Sequence, residues 1–201
     1  MVVHQTDSGK GITDSGKGIV EYICQRANLR MGGGKSMLKE KIQEALNEQI
    51  NKEMYSSYLY LAMSAYSSSV GLPGFAHWFR VQAEEENMHA MRLFDYINDQ
   101  DGRIKLKGIK EPPAEFGTAM EMFHQALEHE QFITRSINEL VELANAEKDE
   151  TTASFLQWYV KEQEEEEENA KEIIAKLRGI DKNEYVIPSV DQELAKRPAL
   201  R

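Results

Sequence analysis

Four stretches of this chain repeat apolar residues at helical spacing, and the spacers between them run short, long, short. The stretches cover about 38–66, 74–100, 117–146 and 150–178. Gly71, Pro73 and Gly74 break the first from the second, and Lys148 and Asp149 mark a tight turn between the third and fourth. Between the second and third lies GRIKLKGIKEPPAEFG, where Pro112 and Pro113 prevent a helix from continuing. Short spacers join antiparallel neighbours, whereas the long one can run the length of a bundle before the next pair begins. The pattern predicts an all-α four-helix bundle with a long crossover between the second and third helices. After Pro188 the tail VDQELAKRPALR can form a fifth, short C-terminal helix.

Carboxylates sit where apolar residues belong. A face of a helix recurs at offsets of about seven and eleven residues. Around Glu86 those offsets give Phe75, Phe79, Leu93 and Ile97; around Glu53 they give Ile42, Leu46, Tyr60 and Ser64; around Glu130 they give Ala119, Phe123, Ile137 and Val141. The fourth helix carries five consecutive glutamates, 164–168. Its apolar face runs through Leu156, Tyr159, Val160, Ala170, Ile174 and Leu177, with Gln163 central, Glu166 towards one side and Glu167 also admitted. Glu162 and Glu165 fall at or beyond the edge, while Glu164 and Glu168 read as solvated. Glu53 to Glu86 spans 33 residues, as does Glu130 to Gln163, so each half offers a carboxylate helix followed by an E/Q-x-x-H/E helix: Glu86 with His89, Gln163 with Glu166. Residues at i and i+3 share a face and can reach one ion.

An unpaired buried carboxylate is costly enough to protonate or to find a partner. No Lys or Arg occupies these stripe positions, so bound cations are the expected partners. Oxygen donors with one imidazole suit iron, with manganese and zinc as alternatives. The stripe pattern treats Glu53, Glu86 and Glu130 alike. On that basis Glu130→Met is expected to stabilise the metal-free protein while slowing its metal chemistry.

Charge and composition bound the function further. The chain has 34 acidic residues against 24 Lys and Arg, a formal net charge of −10 over 201 residues. That balance suits cation attraction and argues against nucleic acid as a partner. No apolar run reaches the roughly 18 residues of a membrane span. The start, MVVHQTDSGK, lacks the apolar stretch of a secretory signal, and Cys24 is the single cysteine, so a cytoplasmic setting is expected.

Residues 1–36 read as a separate extension, with the bundle domain at 37–201. TDSGKGI at 6–12 recurs unchanged at 13–19, and MGGGKS has a flexible-linker composition. GGGKS is not a phosphate loop, because Leu29 stands where its first glycine is required. A tag, a peptide displayed on a linker, and a natural extension all fit.

Over residues 37–200 the segments NEQINKEMYSSYLYL, GFAHWF, AEEENMHAM, EHEQFIT and FLQWYVKEQEEEEE, in this order and spacing, resemble the prokaryotic non-haem ferritins. The resemblance implies the ferritin-like version of the bundle and ferroxidation: Fe(II) is oxidised by oxygen or hydrogen peroxide and mineralised inside a hollow homo-oligomer, a 24-mer. It implies a first iron site of Glu53, Glu86 and His89. Glu86 would bridge to a second iron held by Glu130, with Glu166 alongside and Gln163 close by. A third site would use Glu85, Glu162 and Glu165, shared with Glu166, and Tyr60 would stand beside the di-iron centre. Bacterioferritin's haem methionine corresponds to Asn87 here, Met88 is one residue late, and Gln163 and Glu166 replace its fourth-helix Glu-x-x-His, so haem is not expected. A rubrerythrin-like CxxC domain is ruled out by the single cysteine. His4, His77, His124 and His129 match no motif and read as ordinary.

Overall fold

Each helix begins and ends where local chemistry dictates. The computed structural model describes residues 38–178 and 186–199, so the extension at 1–36 lies outside the described residues. Among the described residues the elements are α1 (Glu40–Ser69), α2 (Pro73–Asp99), α3 (Ala119–Ala146), α4 (Glu150–Leu177) and α5 (Val186–Leu194). Pro73 opens α2 at a position where its missing N–H costs nothing. Thr118 caps α3 through a reciprocal box with Glu121. Gly117 precedes that box at φ +76°, and a Cβ there would lie 2.4 Å from the Glu121 carboxylate. Asp149 caps α4 by accepting from the Thr152 N–H and hydroxyl. The short helix α5 starts at Val186, ahead of Pro188 rather than after it, placing Pro188 inside its first turn, where proline is tolerated.

The interior is two apolar cores. One contains Leu59, Tyr60, Met63, Phe75, Trp78, Phe79, Met122, Phe123, Ile174 and Leu177. The other contains Ile42, Leu46, Ile50, Leu93, Ile97, Ile133, Ile137, Leu156 and Tyr159. Chain order through the cores fixes the topology. α1 and α4 run from the second core to the first, and α2 and α3 run from the first to the second. α2 and α3 are therefore parallel, which obliges the crossover to return along the bundle. Three amides one turn apart on α1 strap it down. Gln43 Oε1 accepts from the Arg103 N–H at 2.7 Å, Asn47 accepts from the Lys105 N–H at 2.7 Å and donates to the Arg103 carbonyl, and Asn51 donates to the Gly108 carbonyl at 3.2 Å.

α5 docks on the N-terminus of α2. Asp191 accepts from the Gly74 and Phe75 N–H groups at 2.7 and 3.1 Å, a carboxylate at the positive end of a helix. Gly74 is required there, since a Cβ would come within 1.7 Å of the Asp191 carbonyl oxygen. Among the described residues no helix is long and apolar enough to cross a membrane.

Candidate metal centre

Every helix of the bundle changes character at one height. Between the two cores, α1 contributes Glu53, α2 contributes Glu86 and His89, α3 contributes Glu130, and α4 contributes Gln163 and Glu166, all of them buried. A fully buried aliphatic or aromatic side chain stabilises by about 1.5–3 kcal/mol. The apolar layers above and below thus offset the cost of a polar one. Burial is the first cause of each perturbed carboxyl here. It pushes Glu53 up to about 8, helped by the charge of Glu86, and pushes Glu86, Glu166 and Glu130 above the ordinary carboxylate range.

Ligand atoms of Glu53, Glu86 and His89 all lie within 4.8 Å of one another, and so do those of His89, Glu162 and Glu166. His89 Nδ1 is 3.3 Å from Glu86 Oε2 without hydrogen-bond alignment. Among the described residues, the buried side-chain polar atoms lacking any hydrogen-bond partner are Glu53 Oε2, Glu86 Oε2 and His89 Nδ1. These three atoms belong to one cluster. A buried polar atom left unsatisfied costs about 1–3 kcal/mol, more if charged, so three together mark a place made for something else. An oxygen-rich set with one imidazole fits iron.

Glu130 is treated differently. The Tyr60 hydroxyl donates to its Oε1, and Gln163 Nε2 donates to its Oε2 at 3.0 Å. Burial and the Glu130 charge hold the Tyr60 hydroxyl well above its ordinary pKa, so it remains a donor. The expectation that Glu130 is as unpaired as the other two is corrected: the distances across the bundle give it two protein partners. Glu85 and Glu162 are half-buried and Glu165 is exposed. The charge of Glu162 acts on Glu85, and Glu162 comes into ligand range of His89 and Glu166, a group that includes neither Glu85 nor Glu165. Glu167 faces Thr134 and Lys171, and Glu164 and Glu168 are exposed as read from the stripe.

Several surrounding residues carry no sequence signal. Gln82 Nε2 donates to Glu86 Oε1 at 3.1 Å and to Glu166 Oε2 at 2.7 Å, tying α2 to α4. Gln49 Nε2 donates to Glu53 Oε1 at 2.9 Å, while its Oε1 accepts from the Ser136 hydroxyl, which in turn accepts from Lys52. The Tyr159 hydroxyl donates to the His89 carbonyl at 2.7 Å, and Trp158 meets the His89 ring edge-on at 5.4 Å. His129, read as ordinary, is half-buried beside Tyr60, with Nε2 2.7 Å from the Ser56 hydroxyl, and desolvation lowers its pKa to about 4. It is therefore neutral. Only the i+3 relation of Ser56 to Glu53 and the adjacency of His129 to Glu130 hinted at their positions.

The chain has relatives of known family and fold. A family model described as the ferritin-like domain matches residues 43–180. A bacterial non-heme ferritin of Bacteroides fragilis is 44% identical over 142 residues, covering 71% of this chain and 89% of the relative. One of Shigella flexneri is 43% identical over 159 residues, covering 79% and 96%. Among solved structures, an open-pore ferritin from the hyperthermophilic archaeon Archaeoglobus fulgidus superposes with a TM-score of 0.79 at 49% identity, covering 80% of this chain and 99% of that one. A humanized archaeal ferritin gives the same TM-score at 48% identity, covering 82% and 99%. The buried carboxylate layer thus lies in a bundle of known ancestry: the chain belongs to the ferritin family.

Proposed function

We propose that this ferritin, an iron-storage protein, oxidises Fe(II) at the polar layer between its two cores. The observation that carries the reading is the convergence of Glu53 Oε2, Glu86 Oε2 and His89 Nδ1, buried and unpartnered. They would take the first Fe(II), and Glu86, through its second oxygen, would share the adjacent ion with Glu130 and Glu166. Gln163 holds Glu130 in place, and Tyr60 supplies it with a hydroxyl donor. Glu85, Glu162 and Glu165 would form a third position at the edge of the layer. Each Fe(II) supplies one electron to oxygen or hydrogen peroxide. The protein supplies anionic oxygens in a dry setting that favours the higher positive charge of Fe(III). With Glu53 titrating at about 8, cation entry near neutral pH displaces protons, so uptake releases acid.

Storage needs an enclosed volume, and the proposed assembly is a cytoplasmic 24-subunit cage; family membership and the net charge of −10 support it. Residues 1–36 would be an appended or displayed segment dispensable to both roles, a reading supported by the unchanged TDSGKGI repeat and the glycine-rich joint.

The test is native mass measurement with anaerobic Fe(II) titration, followed by oxygen. A cage that binds about two tight Fe(II) per chain, and loses both tight binding and fast oxidation in Glu86→Ala, is expected. Unchanged oxidation in Glu86→Ala would sink the assignment, and small oligomers with normal oxidation would leave an oxidase that stores nothing.

A further inference from the structure

The third position already holds a positive charge. Arg197, three residues beyond α5, reaches back to α2. One guanidinium nitrogen pairs with the Glu85 carboxylate, and the other donates to Gln82 Oε1 at 2.8 Å and to the Trp78 carbonyl at 3.3 Å. The guanidinium carbon lies 4.4 Å from the centre of the Trp78 ring. The Arg197 carbonyl is 2.8 Å from His77 Nε2, so backbone and side chain are both fixed. Five contacts from one arginine onto consecutive turns of α2 are more than a solvent-facing ion pair makes. One of them lands on a carboxylate that a cation would need.

We propose that Arg197 is a tethered cation that stands at Glu85 until a metal ion displaces it, so that metal binding on the Glu85–Glu162 side and docking of the segment after α5 oppose each other. The inference rests on the reading of Glu85 and Glu162 as a third metal position. Glu85 cannot offer the same lone pairs to a guanidinium and to a metal ion. Whichever binds first weakens the other by the same factor. Displacement also frees the Gln82 carbonyl oxygen, whose amide nitrogen spans Glu86 and Glu166. Filling the outer position thereby loosens the clamp on the inner pair. The indole of Trp78 would report the departure, because its face loses a cation.

The experiment titrates the metal-free full chain with Zn(II), which is redox-silent, by calorimetry and by tryptophan fluorescence. The fluorescence arm uses a Trp158→Phe background, which leaves Trp78 as the sole indole. Arg197→Gln should tighten the weakest Zn(II) class about five-fold, the effect of losing a partly exposed ion pair. Arg197→Lys, which keeps the charge, should stay near the parent. In the parent the Trp78 signal should move with that class alone, and in Arg197→Gln it should stay flat. Asp191 holds α5 to α2 independently, so circular dichroism of Arg197→Gln should match the parent, and its metal-free melting should fall only slightly, by the loss of that one ion pair. An unchanged or weaker class in Arg197→Gln overturns the antagonism while the third position stands. Absence of any class beyond the inner pair in both proteins overturns the third position and the proposal together.

Discussion

Two sides of the same polar layer solve the problem of a buried carboxylate in opposite ways. On the α3–α4 side, Glu130 meets a hydroxyl and an amide from its own chain, one for each oxygen. On the α1–α2 side, Glu53 and Glu86 each have one oxygen satisfied by a glutamine and one left bare, facing the bare nitrogen of His89. The first side is organised before any metal arrives. The second is complete only with a cation. The difference teaches that burial alone does not tell which buried oxygens are satisfied: the partners of each atom do.

The sharpest way to break this contrast is substitution on both sides. Glu86→Gln should slow Fe(II) oxidation by at least about 100-fold, since losing even an outer-shell partner costs about 10–100-fold. It should also raise the melting temperature of the metal-free protein, because a crowded carboxyl becomes a neutral amide. Glu130→Met should slow oxidation too, but lower the metal-free melting temperature. It strands the Tyr60 hydroxyl, at a cost of about 1–3 kcal/mol, and leaves the Gln163 amide only its longer bonds to the residue-130 carbonyl and the Thr134 hydroxyl. Calorimetric scans of both proteins, stripped of metal, would decide. Shifts of the same sign would erase the distinction between the two sides.

The pH dependence is the next largest effect. Glu53 is raised in the fold from an ordinary 4.5 to about 8, so between these values the folded chain holds a proton that the unfolded chain has lost. The stabilisation is full below about 4.5 and fades as pH climbs through about 8. Each such group contributes a slope of at most about 1.4 kcal/mol per pH unit. Glu86, shifted the same way, adds to it. The metal-free protein should therefore melt lower at pH 8 than at pH 6, and saturating Zn(II) should flatten or reverse the trend. A flat metal-free profile would mean that the bare oxygens are ionised at little cost.

Tyr60→Phe should sharpen the picture on the satisfied side. Removing the donor to Glu130 Oε1 should destabilise the metal-free protein by about 1–3 kcal/mol, and a metal that takes over that oxygen should recover most of the loss. Differential scanning with and without Zn(II) gives both numbers, and a loss that metal does not recover would place the role of Tyr60 in packing. The smallest effect should come from deleting residues 1–36. Particle mass, melting temperature and oxidation rate should all stay unchanged, because every residue invoked in the chemistry lies beyond Met37. Breakdown of the particle into small species would make the extension structural.

Helical periodicity alone determined the four long helices, the crossover and the height at which Glu53, Glu86, His89, Glu130, Gln163 and Glu166 enter the interior. It could do so because a residue's face and its rise along a helix are fixed by its position in the chain. The short spacers paired the helices correctly, α1 with α2 and α3 with α4. Sequence could not say which carboxylate oxygens have partners. Tyr60 and Glu130 are separated by 70 residues, Gln82 and Glu166 by 84, and Arg197 and Glu85 by 112. Such contacts depend on how helices rotate and settle against one another to within the few tenths of an ångström that a hydrogen bond tolerates. His129 and Ser56 were only faintly legible for the same reason, since their contact joins two helices. The sequence determined which groups enter the layer between the cores; only the tertiary packing decided which of their atoms find partners and which do not, because satisfaction is a property of pairs across helices.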